Sequence, residues 1–158
     1  MADPIRYLVK VDGDSAHLAV IGRACYLNCR SVGDFFHSLI QRECKKVSIN
    51  FAKCTGMDST FLGMIAGLAL KLRKNGGEVA LINLNERNRE LVQNLGIYRL
   101  VNIGTSSGED AGDELLAQNA TGENILSAHQ NLVEADPSNA SKFEDVISYL
   151  KKDADLKP

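Results

Sequence analysis

The sequence predicts an α/β fold: a mixed β-sheet covered by α-helices, followed by a helical hairpin at the carboxyl end. Three observations carry this. Val47-Ser48-Ile49-Asn50-Phe51 alternates apolar with polar residues at period two, the pattern of a half-buried strand. After a short turn comes the most hydrophobic helical stretch of the chain, where Phe61, Ile65, Leu68 and Leu72 fall on one helix face and no charge precedes Lys71. A hairpin signal stands ahead of this pair and alternating strand and helix patterns follow it, which implies a mixed sheet with helices laid over it.

In chain order, Ile5 to Val11 and Ala16 to Ile21 read as strands joined at Asp12-Gly13-Asp14, an Asp-Gly hairpin turn. Gly22 to Asn28 reads as a loop, and Asn28 or Ser31 is placed to cap a helix running to about Glu43 with Val32, Phe35, Phe36, Leu39 and Ile40 inward. The strand that includes Val47 to Phe51 must end, and the apolar helix begin, between Ala52 and Thr60. Asn75-Gly76 supplies a left-handed stop to that helix, and Lys71, Arg73 and Lys74 complement its dipole. Glu78 to Asn83 is a buried strand. Asn85 caps a third helix with Leu91, Val92 and Leu95 inward, stopping at Gly96, and Leu100 to Ile103 is a short last strand. Gly104 to about Asp113 has the composition of a linker. Two amphipathic patterns follow, one with Ile125, Leu126, His129, Leu132 and Val133, the other with Phe143, Val146, Ile147 and Leu150. Asp136-Pro137 between them fits an N-cap followed by proline at the first helical position, with Ser141 and Glu144 as an alternative capping box. His129 is expected as a partly buried helix residue, not a ligand.

At 158 residues and 44% hydrophobic, the chain has enough apolar material for one core. Met1 to Arg6 lacks the basic start and apolar run of a signal peptide, and no apolar stretch reaches spanning length. A cytoplasmic location without membrane insertion is expected. The net charge of -2 argues against direct nucleic-acid binding, but its distribution is uneven. Residues 1–104 carry 14 Lys and Arg against 9 Asp and Glu, a balance of +5, and residues 105–158 carry 4 against 11, a balance of -7. That split fits two solvated faces as well as an acidic tail folded on the basic body or on a basic partner. Because both tail helices carry apolar stripes and a lone helical hairpin is too small to be stable, the tail is expected to dock on the body of the same chain or of a second copy, the latter giving a symmetric homodimer, in preference to a free tail. Cys25, Cys29, Cys44 and Cys54 read as reduced thiols packed as small hydrophobes. Cys25 and Cys29 are too far apart for a redox pair, and with His17 and His37 they make at best a weak metal constellation, so no metal or other cofactor is expected.

At the junction between strand and apolar helix, Asp58 and Ser59 are both plausible caps, with Ser59 read as the first helical residue. A serine there serves either as a cap alone, or as a hydroxyl held at the positive end of the helix dipole, where added phosphate meets favourable field. Local sequence does not choose between the two.

The run Asp58-Ser59-Thr60 with Leu62-Gly63, then Arg73-Lys74-Asn75-Gly76-Gly77-Glu78-Val79-Ala80-Leu81, then Arg89-Glu90-Leu91 and Leu95-Gly96-Ile97, resembles the STAS domain of anti-sigma factor antagonists. The resemblance spans roughly residues 5 to 104, dividing the chain into a STAS domain at 1–104 and an acidic linker with helical extension at 105–158. It implies a STAS-like sheet and a phosphoacceptor at Ser59, flanked by Asp58 and Thr60. It also implies a partner kinase that is itself the anti-sigma factor and binds the unphosphorylated form, and a phosphatase that resets the switch. The loop holding Arg23 and Tyr26 corresponds to the border of the family's partner surface, which makes both contact candidates. Met64 and Leu68 are candidates too, because the helix after Ser59 is apolar on more sides than one core stripe requires; burial by sheet and tail is the other reading of that excess. Phe61 departs from the family, which more often has glycine there. A non-switching STAS subunit of a transporter or scaffold assembly is the alternative function. Enzymatic activity is not expected: there is no Gly-x-Ser-x-Gly elbow, no phosphate-binding glycine loop, no metalloprotease helix, and the three histidines fit no triad.

Overall fold

The computed structural model describes residues 4–108 and 110–156. Met1 to Asp3 of the amino-terminal stretch therefore lie outside the described residues. The elements run β1 (Arg6–Asp12), β2 (Ser15–Ala24), α1 (Arg30–Gln41), β3 (Lys46–Met57), α2 (Ser59–Lys74), β4 (Glu78–Ile82), α3 (Glu86–Asn94), a 3-10 turn (Ile97–Arg99), β5 (Asn102–Gly104), β6 (Asp113–Leu115), α4 (Gly122–Ala135) and α5 (Asn139–Leu156). The strands form one mixed sheet in the order β5-β4-β3-β2-β1-β6. β1 pairs antiparallel with β2 and β6, and β2 to β5 are parallel neighbours.

Alternation decides which face of the sheet is covered. Tyr7, Leu18, Val47, Ile49, Phe51, Val79 and Leu81 are buried with the inward faces of α1, α2 and α3, whereas Lys10 and His17 stand exposed on the other face. That second face is crossed by the segment after β5. Asn83, held at φ +62, hydrogen-bonds Ser106 through both its amide groups and donates to Asn50 as well. Asn50 in turn donates to Asp110 at 2.9 Å, and Lys53 pairs with the same carboxylate at 3.3 Å. The stretch with linker composition is thus a strap that carries the chain from one sheet edge to the other, where β6 adds a sixth strand beside β1. No alternation of apolar and polar residues over Asp113–Leu115 announces it.

Several element ends differ from expectation for local reasons. β2 and β3 continue together to Ala24 and Met57, across register shifts after Ala19 and after Gly22. α1 begins at Arg30 with no side-chain cap. Asn28 instead accepts from the Tyr7 hydroxyl and from the Cys25 amide and donates to the Arg23 carbonyl, which folds the loop. The first amide of α1, on Arg30, is satisfied by the carbonyl of Gln118 in the tail. α2 ends as expected: Gly76 at φ +76 lets Gly77 N–H reach the Leu72 carbonyl at 2.8 Å and Gly76 N–H the Arg73 carbonyl. Asn85 caps α3 through the Asn88 amide.

The tail is a helical hairpin whose first helix lies on α2, on the side away from the sheet. α4 starts at a capping box in which Thr121 and Asn124 bond each other's amides. The expected start of α5 at Asp136-Pro137 is corrected: Asp136 ends α4, accepts from the amide and hydroxyl of Ser138, and the helix begins at Asn139. Ser141 and Glu144 consequently fall inside the helix. Asn139 is fully buried and donates to the carbonyls of Leu95 and Leu132, tying the hairpin to the end of α3. Val146, expected inward, is 40% exposed, while Phe143 packs on the core and edge-on against the His129 ring.

Candidate functional site

The site is built at the amino end of α2. Asp58, extended at φ -104 and ψ 179, accepts from the Phe61 amide through Oδ1 and from the Tyr26 amide through Oδ2, both at 2.9 Å. One carboxylate thus caps the helix and clamps the β2–α1 loop against it. With the cap supplied by Asp58, the Ser59 hydroxyl is left for other use. Ser59 is half-buried as the first residue of α2, and Thr60 beside it is only 3% exposed. Phe61 turns into the core and stacks on Tyr7 with ring centroids 6.0 Å apart. The family departure at this position therefore adds bulk to the interior and none to the surface around Ser59.

The Ser59 hydroxyl meets the tail. Its Oγ lies 2.9 Å from Nε2 of His129, and Nδ1 of the same ring lies 2.7 Å from the Ile125 carbonyl. A carbonyl can only accept, so Nδ1 carries a proton, and in the neutral form of the ring Nε2 is left as the acceptor for the Ser59 hydroxyl. Four residues on, α4 presses its backbone into α2: a Cβ on Gly63 would stand 2.2 Å from the carbonyl oxygen of Ala128, and Asn131 fills the space beside Gly67 while donating to the Gly63 carbonyl. Residues 63 and 67 share a helix face, and together they form a groove only glycine permits.

The predicted site residues divide accordingly. Asp58, Ser59 and Tyr26 are brought together by the Asp58 carboxylate. Tyr26 and Leu27 are exposed at 47% and 53% on the clamped loop, and exposed Arg23 pairs across from Gly56 with its guanidinium alongside that glycine. Met64 and Leu68 are buried at 9% and 1%, between α1 and α4, which explains why α2 is apolar on nearly every side. His129, Asn131 and Gln118 were missed as site residues. The polar ones carry no apolar signal, and the visible clue was the Gly63-x-x-x-Gly67 spacing in a helix otherwise made of bulky residues.

Around the site the thiols are free, and Cys29, Cys44 and Cys54 are buried. Burial, with the nearby Asp58 carboxylate adding to it, pushes Cys29 up from its ordinary 9.0 to about 12. Burial also raises Cys54 and Tyr7. Among the described residues no group of three or more His, Cys, Asp or Glu is placed to hold a metal ion, and no helix is long and apolar enough to cross a membrane.

The STAS domain family model matches residues 8–109, ending before β6. Among solved structures, an anti-sigma factor antagonist from Mycobacterium paratuberculosis is similar at TM-score 0.59 and 15% identity, over 68% of this chain and 92% of that one. The Bacillus cell fate determinant SpoIIAA in its phosphorylated form is similar at TM-score 0.55 and 16% identity, over 64% and 91%. The unphosphorylated form of the anti-sigma factor antagonist SpoIIAA gives 0.53 and 16%, over 64% and 88%. None of the curated proteins matches the chain in sequence. These identities speak for the fold; the family match, which covers well over half of the chain, speaks for membership. With the mixed sheet and the Asp58-capped helix in place, the chain belongs to the STAS domain family.

Proposed function

We propose that this protein is a phosphorylatable anti-sigma factor antagonist, a protein–protein switch that binds a serine-kinase anti-sigma factor while Ser59 is unphosphorylated. The observation that carries the reading is the division of labour at the start of α2. Asp58 supplies the cap, so Ser59 stands at the positive end of the helix with a hydroxyl that the cap does not need. Phosphate on that oxygen would sit in favourable field, and its charge of about -1.5 to -2 beside Asp58 would alter any surface packed over the turn. Thr60, the neighbouring hydroxyl, is buried. The exposed loop with Arg23, Tyr26 and Leu27, held to the same carboxylate, is the contact rim of the unphosphorylated state. In this reading residues 1–104 are the STAS domain, residues 105–158 are an extension, the protein works in the cytoplasm without catalysis or cofactor, and a phosphatase resets it.

The test is affinity capture with the full chain followed by phosphorylation. A captured histidine-kinase-like ATPase that phosphorylates Ser59, and that binds Ser59→Ala but not Ser59→Asp, supports the switch. Equal affinity for the two variants, or phosphate mapped elsewhere, refutes it. Capture of a membrane transporter component in place of the kinase would favour a non-switching STAS subunit.

A further inference from the structure

The family match stops at residue 109, yet the residue that holds the Ser59 hydroxyl comes from α4, beyond that limit. We propose that α4 is a cis-acting latch on the phosphoacceptor: α4 docked on α2 and phosphate on Ser59 exclude one another. The inference rests on Ser59 being the modified residue.

Because Nδ1–H is committed to the Ile125 carbonyl, the ring in its neutral form accepts at Nε2 and the serine donates. Phosphorylation replaces that donor hydrogen with phosphorus. If the phosphate points toward the ring, a phosphate oxygen must fit into the 2.9 Å gap between Oγ and Nε2. Even a protonated ring needs roughly 2.8 Å for its own bond to that oxygen, so α4 has to lift. If the serine instead swings its phosphate toward solvent, Nε2 of a ring only 4% exposed is left without a donor, and an unsatisfied buried acceptor is costly. Both routes weaken docking.

α4 cannot absorb the change by sliding. The Ala128 carbonyl is seated where a side chain at Gly63 would be, and Asn131 fills the space over Gly67 and bonds the Gly63 carbonyl. Such close backbone packing fixes one register, so α4 either stays or leaves the groove. On leaving it uncovers Gly63, Met64, Gly67 and Leu68, the apolar face of α2 that is otherwise buried. Linkage makes the exclusion reciprocal: whatever phosphate costs docking, docking costs phosphorylation by the same factor in equilibrium affinity.

The test uses the full chain with phosphoserine installed at position 59 by codon suppression, followed by hydrogen exchange of the α4 amides. The latch predicts exchange over residues 122–135 faster by roughly tenfold or more than in the serine form, with the β3 amides unchanged. Ser59→Ala leaves Nε2 without its donor but adds neither bulk nor charge, so it speeds α4 exchange only by what that hydrogen bond contributes, and the phosphoserine form should at least match it. Ser59→Glu, a weaker mimic, shifts α4 in the same direction and guards against a phosphoserine chain that does not fold. Protection of α4 that is unchanged or increased in both charged forms overturns the exclusion. Since no kinase is used, that failure leaves the switch reading standing; a partner kinase that spares Ser59 would overturn the switch reading and leave the exchange result intact.

Discussion

Replacing Gly63 by alanine should change the sign of its effect according to whether α4 is present. Within α2 alone, alanine is a better helix former than glycine by about 1 kcal/mol. In the intact chain the added Cβ would stand 2.2 Å from the Ala128 carbonyl oxygen, 2.6 Å from its carbon and 2.8 Å from its Cα. All three are backbone atoms, so no side-chain rotation relieves the clash. Overpacking of this kind costs about 1–3 kcal/mol, and the loss is capped by what docking of α4 contributes, because undocking removes the clash. The intact Gly63→Ala chain should therefore lose about 1 kcal/mol net, and a chain ending at Ala120, which keeps β6 but lacks α4 and α5, should gain about 1 kcal/mol from the same change. Urea denaturation followed by circular dichroism, with midpoints compared across the four proteins, reads both signs. Stabilisation in both backgrounds would refute the packing argument, and so would equal destabilisation in both.

Other outcomes follow from single contacts. Asp58→Ala removes the acceptor of the Phe61 and Tyr26 amides together; it should cost about 1–2 kcal/mol in the same urea measurement and speed amide exchange in the 25–28 loop. Peptide mapping after phosphorylation should place phosphate on Ser59 and none on Thr60, which is 3% exposed. Asn139→Leu leaves the Leu95 carbonyl without its buried donor, whereas the Leu132 carbonyl keeps the Asp136 amide; at about 1–3 kcal/mol for the orphaned group, thermal melting should drop by several degrees and α5 should lose exchange protection before the sheet does. Cys29 has its folded value raised from 9.0 to about 12, so the folded state keeps a proton that the unfolded state releases. Its contribution is fully present below about pH 9 and is lost as pH rises toward about 12; stability measured from pH 8 to 11 should fall on the alkaline side, and less so in Cys29→Ala compared with its own value at pH 8.

What the sequence made legible was the part governed by local chemistry. The hairpin at Asp12-Gly13, the α2 stop at Asn75-Gly76 and the Asn85 cap are short-range decisions made by one or two residues, and each stands where it was expected. The Asp58-Ser59 junction was legible for the same reason. The contacts that give Ser59 its surroundings are long-range. Ser59 and His129 are 70 positions apart, and nothing in either pattern announces the other. Likewise Arg30 lacks a side-chain cap because Gln118, far along the chain, supplies the carbonyl. The apolar stripes of the tail call for a docking surface, and the charge segregation makes docking electrostatically favourable. The ion pairs Arg6–Glu114 and Lys53–Asp110 do join the two halves, but they fasten β6 and the strap and involve exposed cations, where such pairs contribute little. α4 is held by shape, through two glycines whose meaning depends on what faces them.

The anchoring of the segment before α4 has a consequence for competition. β6 is zipped to β1, Gln118 bonds the start of α1, and the Ala120 amide donates to the Tyr26 carbonyl. An undocked α4 would thus hang by very few residues from the edge of its own groove. Short tethers hold a ligand at an effective concentration in roughly the millimolar range, so this helix acts as a resident competitor that never dilutes away. An outside protein that needs the covered face of α2 meets an apparent Kd multiplied by one plus the docking constant: a constant of about 100 would turn a roughly nanomolar intrinsic affinity into a tenth-micromolar one. The junction between Ala120 and the capping box at Thr121 is then a tuning point, and inserting a flexible spacer there would relax the competition and lower the threshold concentration of partner without touching a single contact residue.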